Sequence, residues 1–150
     1  MKTFKGRVIA PSGDGKDVSA EALVTTQGFN TLASFQKALM LSDKTAKCSD
    51  QNNNDIFGKP MAGKALCLPQ TIGSTTGGMI IFCAALKNIH PSCMLFSKPI
   101  DSLAAAGAIL AGNWSNNPML TIDSLGDEFL AAVATGAKIK ACNDGTVEVG

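Results

Sequence analysis

A chain of 150 residues is long enough to bury a substantial core in one domain, and neither a linker nor an internal repeat divides it. It has 13 basic and 12 acidic residues, no long basic run, no tyrosine and only 5% aromatic residues. It therefore lacks the charge and the stacking side chains typical of nucleic-acid-binding domains. Residues 1–7 carry positive charge with no apolar segment behind them, and the longest apolar run is too short to cross a bilayer. We expect no nucleic-acid partner, no signal peptide and no membrane association.

The cysteines indicate a reduced protein without a metal site of its own. The chain has five cysteines, an odd number: Cys48, Cys67, Cys83, Cys93 and Cys142. No two form a Cys-x-x-Cys pair, and most of them lie in apolar stretches. Cysteine in such stretches behaves as a small buried hydrophobic residue. The pattern predicts free thiols in a cytoplasmic protein, and no metal ligation within this chain.

The first half of the chain predicts strands around one helix. Residues 4–9 and 20–25 read as strands on either side of a Pro-Ser-Gly-Asp-Gly turn. Apolar residues in the segment 29–41 have roughly helical spacing, and the polar segment 42–55, with three consecutive asparagines, predicts a surface loop. Residues 64–68 predict a buried strand, because the four residues 65–68 are all apolar. This strand leads into a glycine-rich segment.

The second half alternates between helices and strands. Residues 79–88 predict a helix that ends before Pro91, and residues 93–96 a buried strand. Asp101 or Ser102 begins a helix that runs through residue 110, followed by a strand at 119–122 and a helix at 127–134 that Gly136 stops. Residues 138–141 and 146–149 flank an Asn-Asp-Gly turn and predict a hairpin. Together these elements predict an α/β domain with a mixed sheet and flanking helices.

The segment 68–79, LPQTIGSTTGGM, places glycines and hydroxyls between a strand and a helix. Such a loop can direct backbone N–H groups toward an anion. Gly73, Gly77 and Gly78 allow a positive φ or a close approach to a ligand, and the Ser74 hydroxyl can point into the same space. An ordinary turn or helix cap has the same composition and remains an alternative. No lysine follows Gly78 and no Gly-x-Gly-x-x-Gly occurs, which excludes a Walker A loop and a dinucleotide fingerprint.

Four further residues are candidates for a site. His90 is the only histidine, and its position between helix and strand predicts a structural or solvated side chain away from the ligand-binding strand ends. Gly-x-Ser-x-Gly is absent, so a hydrolase nucleophile elbow is excluded. Trp114 predicts a loop anchor or an interface contact. Asp101 and Asp123 follow strands, where they either reach a ligand or cap a helix.

Five segments in this order carry a family resemblance: KGRVI at 5–9, EALV at 21–24, MAGKALCLP at 61–69, IGSTT at 72–76 and the C-terminal strands from Ile139 to Val149. Together they resemble the small subunit, or swivelling domain, of aconitase X-type hydro-lyases over nearly the whole chain. The resemblance implies a single swivelling β/β/α domain, similar to the small domain of aconitase, over residues 1–150.

The resemblance also implies half of an enzyme. In that family the domain closes over a larger catalytic subunit that holds an iron or iron–sulfur centre, and the complex dehydrates a small hydroxy acid. The family's serine base corresponds to Ser74, and we expect Gly73, Thr75 and Thr76 to bind substrate beside it. This chain itself would hold no cofactor. Relatives in the wider superfamily have an arginine shortly after the serine, whereas the only arginine here is Arg7.

The substrates that the resemblance implies include cis-3-hydroxy-L-proline and mevalonate 5-phosphate. We expect the hydroxyproline, because the chain has no cluster of basic residues to bind a phosphate. Mevalonate 5-phosphate is the alternative. A non-catalytic module that binds a small anion at the glycine segment is a further hypothesis, and a purely structural partner is another.

Overall fold

A computed structural model describes residues 1–73 and 75–150 of the chain. Within them lie ten strands and four helices: β1 Lys2–Lys5, β2 Arg7–Ala10, β3 Val18–Val24, β4 Phe29–Asn30, α1 Thr31–Leu41, β5 Ala65–Leu68, β6 Thr71–Ile72, α2 Gly77–Leu86, β7 Cys93–Phe96, α3 Ser102–Trp114, β8 Leu120–Asp123, α4 Asp127–Ala132, β9 Lys138–Ala141 and β10 Thr146–Val149. The predicted strand at 93–96 and the predicted terminal hairpin are confirmed. The four predicted helices are present, and most of their ends lie within about two residues of the predicted positions.

The main sheet has eight strands in the order β1-β10-β9-β3-β5-β7-β8-β2. Strands β3, β5, β7 and β8 are parallel, whereas the remaining pairings are antiparallel. Strand β3 joins the two parts, since its first half pairs with β9 and its second half with β5. Strands β4 and β6 form a separate short parallel pair. The predicted mixed sheet with flanking helices is confirmed.

Both faces of the central strands are buried, which explains their continuous apolar sequences. All four residues of β5 and of β7 are buried. Because successive side chains point to opposite faces, Leu66 and Phe96 pack against one set of helices, whereas Cys67 and Leu95 pack on the other side. The first cluster contains residues of α1, α2 and α3, and the second contains residues of α4, β9 and β10.

The prediction of one strand over residues 4–9 is wrong. The segment is two strands, β1 and β2, which lie at opposite edges of the eight-stranded sheet and are joined by Gly6 alone. The sheet must therefore curl until its edges approach each other. The Gly6 N–H donates to the Gly145 carbonyl at 2.9 Å, and a Cβ at Gly6 would lie 2.5 Å from the Asp123 carbonyl oxygen. Only glycine fits this crossing without a shift of backbone.

The prediction that residues 42–55 form a polar surface loop is wrong for part of the segment. Ala46, Cys48, Asp50 and Asn53 are buried. The Asn53 amide donates to the Thr25 hydroxyl at 3.0 Å, directly after β3. The polar composition of the segment therefore reflects internal hydrogen bonds as well as exposure to water.

Helices α2 and α3 cross in close contact at Gly78 of α2 and Gly107 of α3. A Cβ at Gly78 would lie 2.1 Å from the Leu103 carbonyl oxygen, and one at Gly107 would lie 2.2 Å from the Gly78 carbonyl oxygen. This contact corrects the interpretation of Gly78, whose missing side chain is required by a neighbouring helix. It also brings the N-terminal turns of α2 and α3 together.

Candidate active site

A cleft of about 200 Å³ lies beyond the carboxyl ends of the parallel strands. Strands β3, β5 and β7 are each followed by a segment that returns as a helix, and the three helices α1, α2 and α3 all begin at this cleft. Crevices at this end of a parallel sheet are where α/β folds bind ligands. The cleft is lined by Thr31, Thr71, Ile72, Gly73, Thr75, Gly77, Gly78, Asp101, Leu103 and Ala104.

The three helix starts favour an anion in the cleft. The first N–H groups of a helix have no acceptor within that helix, and the helix dipole places partial positive charge there. The first turns of α1 and α2 contain no acidic residue, whereas the start of α3 already has a carboxylate, that of its N-cap residue Asp101. The predicted strand before the glycine segment and the predicted helix after it are confirmed, and a carboxylate or phosphate ligand between them stays a prediction.

Gly73 has a positive φ, +98°, which is one of the two alternatives that the sequence predicts for it. A Cβ at this position would also lie within 2.8–2.9 Å of the Asn30 side-chain amide. The Asn30 side chain is itself fixed, because its oxygen accepts the Ala33 N–H at 3.1 Å and caps α1. The backbone at Gly73 is therefore held in a conformation and at a distance that glycine alone permits without strain.

The other predicted residues of the glycine segment surround the same opening. Thr75 is exposed and lines the cleft, and Thr76 is the N-cap residue of α2. Gly77 lines the cleft with φ outside the positive region, so its predicted role reduces to a close approach. Ser74, the predicted base, lies outside the described residues. Its role and the binding roles of Gly73, Thr75 and Thr76 stay predictions.

Asp101 caps a helix, which confirms one of the two alternatives drawn from the sequence, and it lines the cleft, where contact with a ligand stays a prediction. Its Oδ2 accepts the Ala104 N–H at 2.9 Å at the start of α3. Its Oδ1 accepts a hydrogen bond from the Thr71 hydroxyl. Among the described residues that line the cleft, Asp101 is the only one with an ionisable side chain.

The sequence did not single out Thr31 or Thr71. Thr31 is buried at the first turn of α1, and Thr71 belongs to the short pair β4–β6. No periodicity marks a two-residue strand, and the parallel register Phe29↔Thr71 joins residues that are far apart in the chain. Only the Asn30-Thr31 pair, a good helix cap followed by a helix start, carried a local signal.

Asp123 neither lines the cleft nor caps a helix. It is fully buried and accepts two hydrogen bonds from Arg7, from Nε at 3.0 Å and from Nη2 at 2.7 Å. A third comes from the Ile100 N–H at 2.8 Å, one residue before Asp101. Burial by itself would raise the pKa of Asp123, but these hydrogen bonds and the charge of Arg7 outweigh it and hold that pKa below its usual value. The only arginine is thus engaged outside the cleft.

His90 and Trp114 lie away from the cleft. His90 precedes the amino end of β7, whereas the cleft lies beyond the carboxyl end of that strand, as the sequence predicts. Burial lowers the pKa of His90 and favours the neutral imidazole. Trp114 is the last residue of α3 and is 74% exposed, so it is no loop anchor, and an interface contact stays a prediction.

A larger groove, of about 590 Å³, lies at the C-terminal end of α1 beside Met40, Leu41 and Phe57. It contains none of the glycine segment, so we place the candidate site in the smaller cleft. Over residues 1–73 and 75–150, no three His, Cys, Asp or Glu side chains lie close enough to hold a metal ion. None of the helices in this part of the chain has the length and apolarity to cross a bilayer.

The protein-family model described as the aconitase X swivel domain matches residues 3–149 of this chain. The chain belongs to this family. Among similar curated proteins are the phosphomevalonate dehydratase small subunits of Aeropyrum pernix, 30% identical over 61% of this chain, and of Thermococcus kodakarensis, 31% identical over 64%. The matched segments cover 64% and 65% of those two relatives, just under two thirds of their length.

Solved structures agree with this aconitase X swivel fold along the whole chain. A crystal structure of Thermococcus kodakaraensis aconitase X in its holo form has a TM-score of 0.79 at 24% identity, covering 100% of this chain and 99% of that one. A solution NMR structure of a UPF0107 protein has a TM-score of 0.77 at 24% identity, with 99% of each chain covered. The predicted swivelling β/β/α fold is confirmed.

Proposed function

We propose that this chain is the small subunit of a two-subunit hydro-lyase of the aconitase X type. The observation that carries the proposal is the position of Gly73 and Thr75, the two neighbours of the serine that the family resemblance makes the base, in a cleft where three helices begin. A second, larger subunit closes on this cleft. The exposed side chains of Ile72, Met79 and Leu103 suit that role, because a partner surface would remove them from water.

In the proposed reaction the substrate carboxylate lies against the N-termini of the helices that surround the cleft. The oxygen of Ser74 removes the proton from the carbon α to the carboxylate, and the electron pair left behind forms the double bond as the β-hydroxyl departs. A serine oxygen is a weak base in water, so the site must stabilise its alkoxide with backbone dipoles and exclude water. Gly73, Thr75 and Thr76 would orient the substrate.

The iron or iron–sulfur centre that the resemblance implies is proposed for the large subunit. Such a centre supplies Lewis acidity toward a leaving hydroxyl. The described part of this chain offers no suitable set of ligands, and we derive no step from that centre. The residues of this chain are assigned the proton abstraction and the binding of the carboxylate.

Mevalonate 5-phosphate is the substrate that the relatives favour, since the curated proteins named above are phosphomevalonate dehydratase small subunits. The sequence-based preference for cis-3-hydroxy-L-proline has no such support. One observation keeps it as a second candidate: the ionisable group on the described lining of the cleft is the Asp101 carboxylate, which suits a substrate with a cationic nitrogen better than a phosphate. The large subunit would then have to supply the cations for a phosphate.

The test is to purify the tagged chain from its native host with its partner and to assay the complex on both substrates by NMR. We expect an iron-containing complex that dehydrates mevalonate 5-phosphate, whereas the isolated chain is inactive. Dehydration of cis-3-hydroxy-L-proline alone would reverse the choice of substrate. A complex that dehydrates neither compound, while the chain still binds small carboxylates, would replace the proposal with a non-catalytic anion-binding module.

A further inference from the structure

The segment 71–73, which leads into Ser74, lies between the capping side chains of two different helices. Asp101 caps α3 and accepts the Thr71 hydroxyl, and Asn30 caps α1 and lies against the Cα of Gly73. We call Asn30 and Asp101 the N-cap pair. Asp101 bonds both its own helix and Thr71, whereas Asn30 caps its own helix and fills the space that a side chain at position 73 would need.

The backbone just before Asp101 is also fixed by a hydrogen bond. The residue before it, Ile100, donates its N–H to the buried Asp123 carboxylate, which Arg7 binds with two nitrogens. The Thr71 contact therefore connects the segment to the edge of the main sheet through a chain of charge-assisted hydrogen bonds, which are the stronger kind. An arrangement of this type restricts the positions that Thr71 can take.

Asn30 limits the segment from the other side. Strands β4 and β6 pair Asn30 with Ile72, so the backbone next to Gly73 follows the start of α1. The amide of Asn30 occupies the space that a side chain at position 73 would need. The segment thus has a fixed neighbour on each side, one from α1 and one from α3.

We propose that Asn30 and Asp101 are positioning residues for the catalytic segment: they fix residues 71–73 and so determine where the chain delivers Ser74. The inference rests on the proposed function for its catalytic consequence. A displacement of about 1 Å in a catalytic group can lower turnover about 100-fold, so loss of this restraint should act on kcat more than on folding.

The experiment compares Thr71→Val, Asp101→Ala and the double variant in the reconstituted complex. We expect each single variant to lower kcat at least about 10-fold, with less change in KM. The double variant should lose no more than the worse single variant, because both remove the same contact. Thr71→Ser and Asp101→Asn should restore kcat to within about 3-fold of the unmutated complex, since each can still bridge Thr71 and the α3 cap.

Asp43 and Thr45 offer a matched control away from the cleft. The Thr45 hydroxyl donates to Asp43 at 2.8 Å, and Asp43 also accepts the Thr45 N–H at 3.0 Å, which repeats the chemistry of Thr71 and Asp101. Asp43→Ala and Thr45→Val should leave kcat within about 2-fold. Additive losses of kcat in the double variant would overturn the proposal. So would an Asp101→Asn variant whose kcat is as low as that of Asp101→Ala, because the effect would then come from the charge of Asp101.

Amide hydrogen exchange separates this inference from the proposed function. In the isolated chain, Asp101→Ala and Thr71→Val should speed exchange in a peptide covering residues 70–76, whereas the two control variants should not. If exchange speeds up but the unmutated complex dehydrates neither substrate, the proposed function is wrong and the restraint is real. Unchanged exchange in both cleft variants would show that Asp101 does not hold the segment and would overturn the proposal.

Discussion

The crossing of α2 and α3 makes a quantitative prediction for Gly107→Ala. A Cβ there would lie 2.2 Å from the Gly78 carbonyl oxygen and 2.8 Å from its Cα and carbonyl carbon. Ordinary contact begins near 3.4 Å, so the two helices would have to separate by about 1 Å. Backbone atoms cannot rotate away as a flexible side chain can. The new methyl group therefore strains the contact that brings the starts of α2 and α3 to the cleft.

We expect Gly107→Ala to lower the free energy of unfolding by about 1–3 kcal/mol, although alanine is the better helix former. For a chain of this size the melting temperature should fall by roughly 2–4 °C per kcal/mol. Gly112→Ala in the same helix is the matched control. Gly112 is exposed, and its added Cβ would approach only Pro118, at 3.9 Å. That variant should gain up to about 1 kcal/mol.

Thermal and urea unfolding of the two variants beside the unmutated chain would decide the matter. We expect the two glycine-to-alanine substitutions on α3 to change the free energy of unfolding in opposite directions. A Gly107→Ala variant as stable as Gly112→Ala would show that α2 and α3 do not approach each other this closely, and the described shape of the cleft would be wrong.

Three further predictions concern other parts of the chain. Gly73→Val should cost about 1–3 kcal/mol in unfolding experiments, because φ is +98° and Asn30 occupies the space, and the activity of the complex should fall by more than this loss explains. Arg7→Met should lower stability at pH 7 in urea unfolding, because it leaves the buried carboxylate of Asp123 without its charged partner. In the folded chain at pH 8, a thiol reagent should leave Cys67 and Cys93 unlabelled, since burial raises the pKa of both thiols, that of Cys93 to about 12.

The pH dependence of the Arg7→Met effect has a definite sign. The pKa of Asp123 is lowered in the folded chain, so its contribution to stability is complete above the pKa of the unfolded carboxyl, near 4, and disappears as the pH falls through the lower folded value. The difference between the two proteins should therefore shrink toward pH 3. A difference that grows with acidity would contradict the ion pair, and rapid labelling of Cys93 at pH 8 would contradict the packing of β7.

The sequence was sufficient for the elements whose signals are local. The buried strand β7, the Asn-Asp-Gly hairpin and the start of α3 at Asp101 depend on composition, turn residues and caps within a few positions. The division of the first segment into β1 and β2 at Gly6 could not be predicted from such local signals. Residues on both sides of it have strand-like sequences, and only the closure of the sheet sends β1 and β2 to opposite edges.

The candidate site shows the same division. The glycine segment and the positive φ of Gly73 were predictable, because few residues tolerate that backbone conformation. The contacts Thr71–Asp101 and Arg7–Asp123 join residues 30 and 116 positions apart, and neither leaves a local pattern. The requirement for glycine at position 78 arises from a helix that begins 24 residues later, so the sequence alone suggested a ligand there.

The most direct test of the account is α-hydrogen exchange in the reconstituted complex with Ser74→Ala. The variant should fold and associate with the large subunit nearly as the unmutated chain does, since one hydroxyl contributes little to a core. It should lower both solvent exchange of the substrate's α hydrogen and dehydration by about 10²–10⁴-fold, with smaller losses for Thr75→Ala and Thr76→Ala. Exchange and dehydration near the unmutated rates would show that Ser74 is not the base and that the mechanism implied by the family resemblance is wrong for this chain.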